Sequence, residues 1–345
     1  MRICQVLLAK GFGGAERYFV DLSLELARRG HEVLAVCHPA GLARERLGQM
    51  AGLEIAAVSS LGAWDPFVVR RLRSVIEDYQ PDVAQAHLAR AAHLVGKALK
   101  RSRLPLLTMT HNYVDPKYYR RVNMFLPATQ DQAAYLRNNG IAEARMRIIP
   151  NFSTLPAATL SPDRPAAIVT MGRFVHKKGF QVLLAALGDL RRRGLALPPV
   201  LLGGDGPLRQ ELERTARQQG VEDVVRFVGW QTDPATFLDR GTLFVLPSLD
   251  EPFGIVVLEA MARGLPIIAT ATQGPREILD PASAILVPPG DSVALAGALM
   301  QTMAQPEAAR ARAACASANF VSRYSTDAVL PQLLVAYQSV VGGST

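Results

Sequence analysis

The chain runs through one pattern twice: a short apolar run, a turn, then a segment whose apolar residues recur at helical spacing. ICQVLL (3–8) reads as a strand and GFGG (11–14) as a turn. Ala15, Phe19, Leu22 and Leu26 then mark one face of a helix, closed by Arg28, Arg29 and Gly30. HEVLAVC, PDVAQAH and LPLLTMTH read as further strands. After the Pro- and Ser-rich PNFSTLPAATLSPDRP (150–165) the pattern restarts: AAIVTMG, the helix GFQVLLAALGDLRRRG, PVLLGG, the helix PLRQELERTARQQG, VVRFVG and LFVLPS. Short apolar strands alternating with amphipathic helices predict parallel sheets covered on both faces. Two such sets joined by a linker predict an α/β chain of two Rossmann-like domains facing across a cleft. Ligands then bind at the carboxyl ends of the strands.

At 345 residues the chain is longer than single cores usually grow, which agrees with two domains. Its net charge of +8 belongs wholly to the first half. Residues 1–160 hold 21 Lys and Arg against 13 Asp and Glu, and residues 161–345 hold 17 of each. The clusters are RRLR (70–73), KALKRSR (97–103) and KYYRR (117–121). They read either as a solvated surface or as a face turned to anionic lipid headgroups or an anionic substrate. Nucleic acid is not expected, since no nucleic-acid-binding motif accompanies the charge. No apolar run reaches the roughly 18 residues of a membrane span. The opening MRICQVLLAKGFGG reads as a first strand and not as a signal peptide. Cys4, Cys37 and Cys315, with no CxxC, read as buried thiols of a reducing cytosol. The expected location is cytoplasmic, with peripheral contact at the inner face of the cytoplasmic membrane through the basic half.

Three stretches of the second half fall at strand ends. In MGRFVHKKGF (171–180) Arg173 and Lys178 precede a helix. They read either as surface bases or as an anion site, where free N–H groups and the helix dipole add to their charge. In GGDGPLR (203–209) the glycines permit a tight turn and close backbone approach. The third is LPSLDEPFGIVVLEAMARGLPIIATATQGPREIL (246–279). Its strand ends, a loop holds Asp250 and Glu251, and a helix begins near Phe253 and Gly254 and ends at Gly264. Glu251 could simply complement the helix dipole. That reading is poorer for Glu259, a carboxylate deep in an apolar helix.

With these residues in place, the chain resembles the retaining glycosyltransferases of the GT-B fold, family 4 (glycosyl transferases group 1). That large family includes bacterial lipopolysaccharide, capsule and phosphatidylinositol mannosyltransferases. The resemblance rests on Glu251-x7-Glu259 with Phe253-Gly254 between, on EAMARGLPIIAT, and on the G-x-x-E that follows. It extends to GGAER (13–17), THN (110–112), IIPN (148–151), GR…KKG (172–179), GDGP (204–207) and FVG (227–229), in that order. The implied layout is an acceptor-side domain over 1–155 and a nucleotide-sugar domain over 164–323. A last helix, about 327–341, crosses back to the first, and Pro331 suits only its early turns.

The resemblance also implies roles. Glu259 accepts hydrogen bonds from the ribose hydroxyls. Arg173 and Lys178 bind the diphosphate and stabilise the charge developing on the leaving group. Glu251 holds the donor sugar's hydroxyls beside the N–H groups of Phe253, Gly254 and Ile255. Trp230 and Gln231 fall where the base is gripped, and Gly204 lies in the GDGP turn. From the first domain, Gly13 and Gly14 approach the donor phosphates, and His111 lies near the donor sugar. The roles of Glu16 and Arg17 stay open. The donor is expected to be UDP-linked and the acceptor a glycan or a lipid-linked glycan. Retention is expected by front-face attack, with the departing phosphate oxygen taking the acceptor proton. No cofactor or metal is expected: Asp-x-Asp is absent, and the six histidines form no ligand cluster in the sequence.

Three rival readings meet obstacles in the sequence. A dinucleotide fingerprint would need glycine at 16, where Glu16 stands, and an acidic residue after VCHPAG, where none occurs. A nucleotide-sugar epimerase or sugar phosphorylase of the same fold carries other motifs. A non-catalytic nucleotide-sugar-binding module would lack a site residue, yet Arg173, Lys178, Glu251 and Glu259 are all present. One departure concerns the loop after EAMARGLPIIAT, where Gly274-Pro275 replaces a pair of glycines and leaves that loop's donor contacts open.

Overall fold

A computed structural model describes the chain except residues 12, 60–64, 114, 159–163, 165 and 343–345. Part of the 150–165 linker thus lies outside the described residues. The chain divides into two compact units. One is Met1–Phe152 with Thr326–Thr345, the other Ser153–Ser325.

The first unit is built on six parallel strands: β1 (Arg2–Leu7), β2 (Glu32–Cys37), β3 (Leu53–Ala57), β4 (Val83–His87), β5 (Leu106–Thr110) and β6 (Met124–Pro127). Their order is β3-β2-β1-β4-β5-β6, so the sheet reverses its direction of growth between β1 and β4. Helices α1 (Gly14–Arg28), α2 (Leu42–Leu47), α3 (Pro66–Tyr79), α4 (Leu88–Ala98) and α5 (Gln130–Asn138) connect them. β1, β2 and β4 are apolar with few exceptions, as buried parallel strands must be. α1 turns Phe19, Leu22 and Leu26 inward, each fully buried. Each such side chain contributes about 2 kcal/mol of transfer free energy.

The second unit repeats the plan with β7 (Ile168–Met171), β8 (Val200–Gly203), β9 (Val225–Gly229), β10 (Leu243–Leu246), β11 (Ile267–Thr270) and β12 (Ile285–Val287). Its order, β12-β11-β10-β7-β8-β9, is the same doubly wound topology, with the switch point between β7 and β10. The helices are α6 (Phe180–Arg192), α7 (Arg209–Gln218), α8 (Pro234–Leu238), α9 (Ile255–Ala262), α10 (Gln273–Ile278), α11 (Ser292–Ala304) and α12 (Pro306–Arg323). The final helix, α13 (Thr326–Val341), belongs to the first unit, where Leu330, Leu333 and Tyr337 are fully buried.

One sequence expectation needs correction. Cys4 and Cys37 are buried, but Cys315 on α12 is only half-buried, because that helix is amphipathic and its flank reaches solvent. Pro331 sits inside α13, past the first turn. The helix tolerates it by forfeiting one ladder hydrogen bond.

Candidate functional site

The second unit gathers its motif residues at the carboxyl ends of β7 and β10. After β7 the chain passes Gly172 and Arg173, makes a 3₁₀ turn over His176–Lys178, and enters α6 through Gly179 at φ +64°. A Cβ on Gly179 would lie 2.0 Å from the Pro247 carbonyl oxygen, so only glycine lets this turn lie against the end of β10. The loop after β10 is stitched to the same turn, since Leu249 N–H and Asp250 N–H donate to the Lys177 carbonyl at 2.8 and 3.2 Å. The result is an ion pair between residues 73 positions apart: Lys178 Nζ lies 2.5 Å from Glu251 Oε2. Ser248 Oγ donates to the same oxygen at 3.3 Å. Glu251 is 7% exposed. One Nζ proton is used here, leaving two of the ammonium's three donors for another anion. Arg173 is exposed and makes no ion pair among the described residues.

Gly254 caps α9 at φ +96°, so the helix proper begins at Ile255. Val257 N–H donates back to the Gly254 carbonyl at 2.9 Å, while the N–H groups before it stand outside the i→i−4 ladder and suit an anion or a hydroxyl. Phe253 is buried, and Gly274, which with Pro275 lies in the first turn of α10 and not in the loop expected from the sequence, packs on it: a Cβ on Gly274 would fall 2.0 Å from the Phe253 carbonyl oxygen. Gly274 N–H donates to the Glu251 carbonyl at 2.9 Å, which fixes the loop that carries the carboxylate. Glu259 lies in the second turn of α9 at 1% exposure, with Val257, Leu258, Ala260 and Met261 buried around it in sequence.

The GDGP turn packs backbone to backbone on the segment after β7. A Cβ on Gly204 would be 2.0 Å from the Gly172 carbonyl oxygen, and Phe174 N–H donates to the Asp205 carbonyl. Gly204 N–H donates in turn to the Gly229 carbonyl at 2.7 Å, which brings Trp230 and Gln231 alongside. Trp230 is 43% exposed. Gln231 Nε2 donates to the carbonyls of Val228 and Gly229, so its amide nitrogen braces the end of β9. The second unit therefore brings Arg173, Lys178 and Glu251 to the switch point, and sets Gly204, Trp230 and Gln231 beside β8 and β9.

In the first unit Gly13 caps α1 and Gly14 opens it, at the end of β1. Gly13 has an ordinary extended backbone (φ −148°), so its conformation does not demand glycine. Glu16 Oε2 accepts from Gly13 N–H at 2.9 Å and closes the helix start. Arg17 lies 3.5 Å from Asp21 along the same helix.

His111 follows β5 and is half-buried. Its Nε2 lies 3.1 Å from Nδ1 of His87, the last residue of β4, which is fully buried. The Tyr18 ring packs against both imidazoles and against Phe152. Burial pushes His111 down to about 3, and burial with the neighbouring imidazole holds His87 well below the usual histidine range. Both rings are therefore neutral. Cysteine offers no nucleophile on these strands, since burial pushes Cys4 up to about 12 and Cys37 to about 11. Among the described residues no cluster of three His, Cys, Asp or Glu could hold a metal ion.

Sequence reasoning missed His87. The signal was there: PDVAQAH and LPLLTMTH are parallel strands that both end in histidine, and β4 and β5 are neighbours in the sheet.

The description "Glycosyl transferases group 1" matches residues 151–318, and "Glycosyltransferase Family 4" matches residues 12–153. The lipopolysaccharide core biosynthesis glycosyltransferase LpsD of Rhizobium meliloti (strain 1021) is 32% identical over 325 residues, covering 92% of each chain. Among solved structures, a glycosyltransferase from Rickettsia africae ESF-5 superposes with a TM-score of 0.87 at 19% identity, over 99% of both chains. Anabaena Alr3699/HepE, in complex with UDP, superposes with a TM-score of 0.83 at 20% identity, over 98% of this chain and 100% of its own. These structural likenesses fix the fold as GT-B.

Proposed function

The chain belongs to the glycosyltransferases of group 1 and family 4, and from that premise we propose that it moves a hexosyl group from a UDP-sugar to a glycan or lipid-linked acceptor. The product is part of a bacterial-type surface polysaccharide or lipopolysaccharide. The observation that carries this reading is the part-buried Lys178–Glu251 pair at the switch point, with Arg173 following β7. An ammonium with two spare donors and a guanidinium suit a diphosphate leaving group, whose charge grows as the glycosidic bond breaks. Glu251, oriented by Lys178 and Ser248, suits the donor sugar's hydroxyls together with the first N–H groups of α9 at Phe253, Gly254 and Ile255. Glu259 suits the ribose, Trp230 the base, and Gly204 a close backbone approach. From the first unit, Gly13, Gly14 and His111 are proposed as donor contacts.

The anomeric configuration is retained by front-face attack, the departing phosphate oxygen taking the acceptor proton. Arg173 and Lys178 supply the positive charge, so the reaction proceeds without a divalent metal. The UDP preference is supported by HepE, which is described in complex with UDP and with UDP-glucose. The class of product is supported by the LpsD likeness. Nucleotide release from UDP-, GDP-, ADP- and CMP-sugars, with and without EDTA and candidate glycan acceptors, tests the whole reading. Slow hydrolysis of a UDP-hexose, accelerated by an acceptor and indifferent to EDTA, is expected. Failure of every donor to bind by calorimetry would overturn it.

A peripheral membrane contact is proposed for the first unit. No helix among the described residues is long and apolar enough to cross a membrane. Phe67, 83% exposed at the start of α3, precedes the exposed Arg70 and Arg71. Arg103 and Arg121, also exposed, line a recess of about 560 Å³ beyond the end of α4. An apolar side chain beside clustered cations suits an anionic lipid surface. Co-sedimentation with anionic but not neutral vesicles, weakened by salt, is expected; equal behaviour with both removes the proposal.

A further inference from the structure

His111 is the end of a buried hydrogen-bonded series that runs through the middle of the first sheet. Gln5 on β1 and Gln85 on β4 face each other in register at the switch point, and both are fully buried. Gln5 Oε1 lies 2.7 Å from His87 Nε2. Gln5 Nε2 donates to Tyr337 Oη at 2.9 Å, and Tyr337 donates its hydroxyl proton to Gln85 Oε1 at 2.5 Å. Tyr337 comes from α13, fully buried and held neutral by that burial.

The proton positions follow from one another. Tyr337 has a single hydroxyl proton. Because Gln85 takes it, Oη must accept from the Gln5 amide, and this turns the Gln5 carbonyl oxygen to His87. A carbonyl can only accept, so His87 carries its proton on Nε2 and its Nδ1 is bare. That bare nitrogen, 3.1 Å away, accepts from His111 Nε2–H. His111 then has Nδ1 as its sole acceptor.

A second observation marks the same junction. Leu88, directly after His87, has φ +67°, a left-handed conformation that a leucine adopts at a cost of about 1–3 kcal/mol. The strand-to-helix turn that seats the His87 imidazole is thus strained, and the surrounding packing has to hold it.

We propose that His87 is a positioning residue for His111: through Gln5, Tyr337 and Gln85 it locks His111 as the Nε2–H tautomer and so presents it to substrate as a hydrogen-bond acceptor. The identity of that substrate rests on the glycosyltransferase reading; the tautomer does not. The last helix of the chain completes the lock, because without the Tyr337 hydroxyl the Gln5 amide is free to turn over and reverse every bond in the series.

Imidazole ¹⁵N NMR on the full-length protein at neutral pH tests this with no nucleotide-sugar present, the signals being assigned through single-histidine variants. His87 and His111 are both expected as Nε2–H tautomers with bare Nδ1. In Tyr337→Phe a second, Nδ1–H population of His111 is expected, and His87→Phe, which removes the acceptor, is expected to give the same mixture. Either variant alone suffices should the other fail to fold. A wild-type His87 protonated at Nδ1 would overturn the proposal, since the series would then run the other way. So would a His111 that stays wholly Nε2–H in the folded variants, because its tautomer would then be set elsewhere. Absence of donor turnover in the wild type would remove the transferase reading without touching either result.

Discussion

Replacing Glu259 by glutamine separates the ribose role from every other role in the second unit. The residue is 1% exposed in the second turn of α9, and glutamine has its shape without its charge. A neutral amide is cheaper to bury than a carboxylate. Stability should therefore stay within about 1 kcal/mol, a shift of no more than about 2–4 °C in Tm for a domain of this size. Binding should change far more. A carboxylate accepts from two neighbouring hydroxyls, and hydrogen bonds to a charged group are worth about 1.5–3 kcal/mol each. Glutamine keeps one carbonyl acceptor and turns an NH₂ group toward the second hydroxyl. The net loss is about 2–3 kcal/mol, or about 30- to 150-fold in Kd. Calorimetry with both UDP and UDP-glucose is the assay, since the ribose is common to the two ligands. Equal weakening of both is expected. Weakening of UDP-glucose alone would move Glu259 to the sugar, and unchanged affinity for both would refute the ribose role altogether.

Three further outcomes follow from particular contacts. Lys178→Met should leave the buried Glu251 without its counter-charge and cost about 2–3 kcal/mol, the usual penalty for a broken buried pair reduced by Lys178's partial exposure. It should also cut donor turnover about 100-fold or more. Adding Glu251→Leu should restore the melting temperature but not the turnover, and restoration of both would show the pair to be structural only. Gly179→Ala should cost about 3 kcal/mol or more, because φ is +64° and the new Cβ meets the Pro247 carbonyl oxygen; a wild-type denaturant midpoint would contradict that packing. His111, pushed down to about 3, resists protonation in the folded state while the unfolded chain titrates near 6.5. Stability from this residue is thus complete above pH 6.5 and lost as pH falls, by about 2 kcal/mol at pH 5. His111→Gln should flatten the denaturation slope between those pH values, and an unchanged slope would mean that the imidazole titrates normally.

The alternation of strands and helices was legible because buried parallel strands carry little besides apolar residues. Where that rule lapses, the pattern fades. β3, at the sheet edge, exposes Glu54 and Ile55 along LEIAA, and β6 is the four residues MFLP, too short to display a period. Neither was anticipated. The second unit's site was legible for a different reason: Arg173, Lys178, Glu251 and Glu259 are charges beside apolar segments, and a charge there is costly unless something binds it or pairs it. What no spacing reveals is that Lys178 and Glu251 pair with each other, because 73 residues separate them and the contact depends on Gly179 lying against Pro247.

The two units solve the same topological problem with opposite chemistry, and this explains what was missed. Both sheets reverse between their first and fourth strands, and both place polar side chains there. The second unit uses full charges at strand ends, which stand out in a sequence and suit a reaction whose leaving group gains negative charge. The first uses neutral groups, Gln5 and Gln85 inside strands and His87 at the end of one, satisfied by one another and by Tyr337 from the far end of the chain. A neutral residue in a strand costs little if its hydrogen bonds are made, so a lone glutamine in ICQVLL or PDVAQAH breaks no pattern. Only the register that sets Gln5 opposite Gln85, and the helix that delivers Tyr337, turn those unremarkable residues into a connected series. Such a series has direction, and direction is what a histidine with two unlike nitrogens needs from its surroundings.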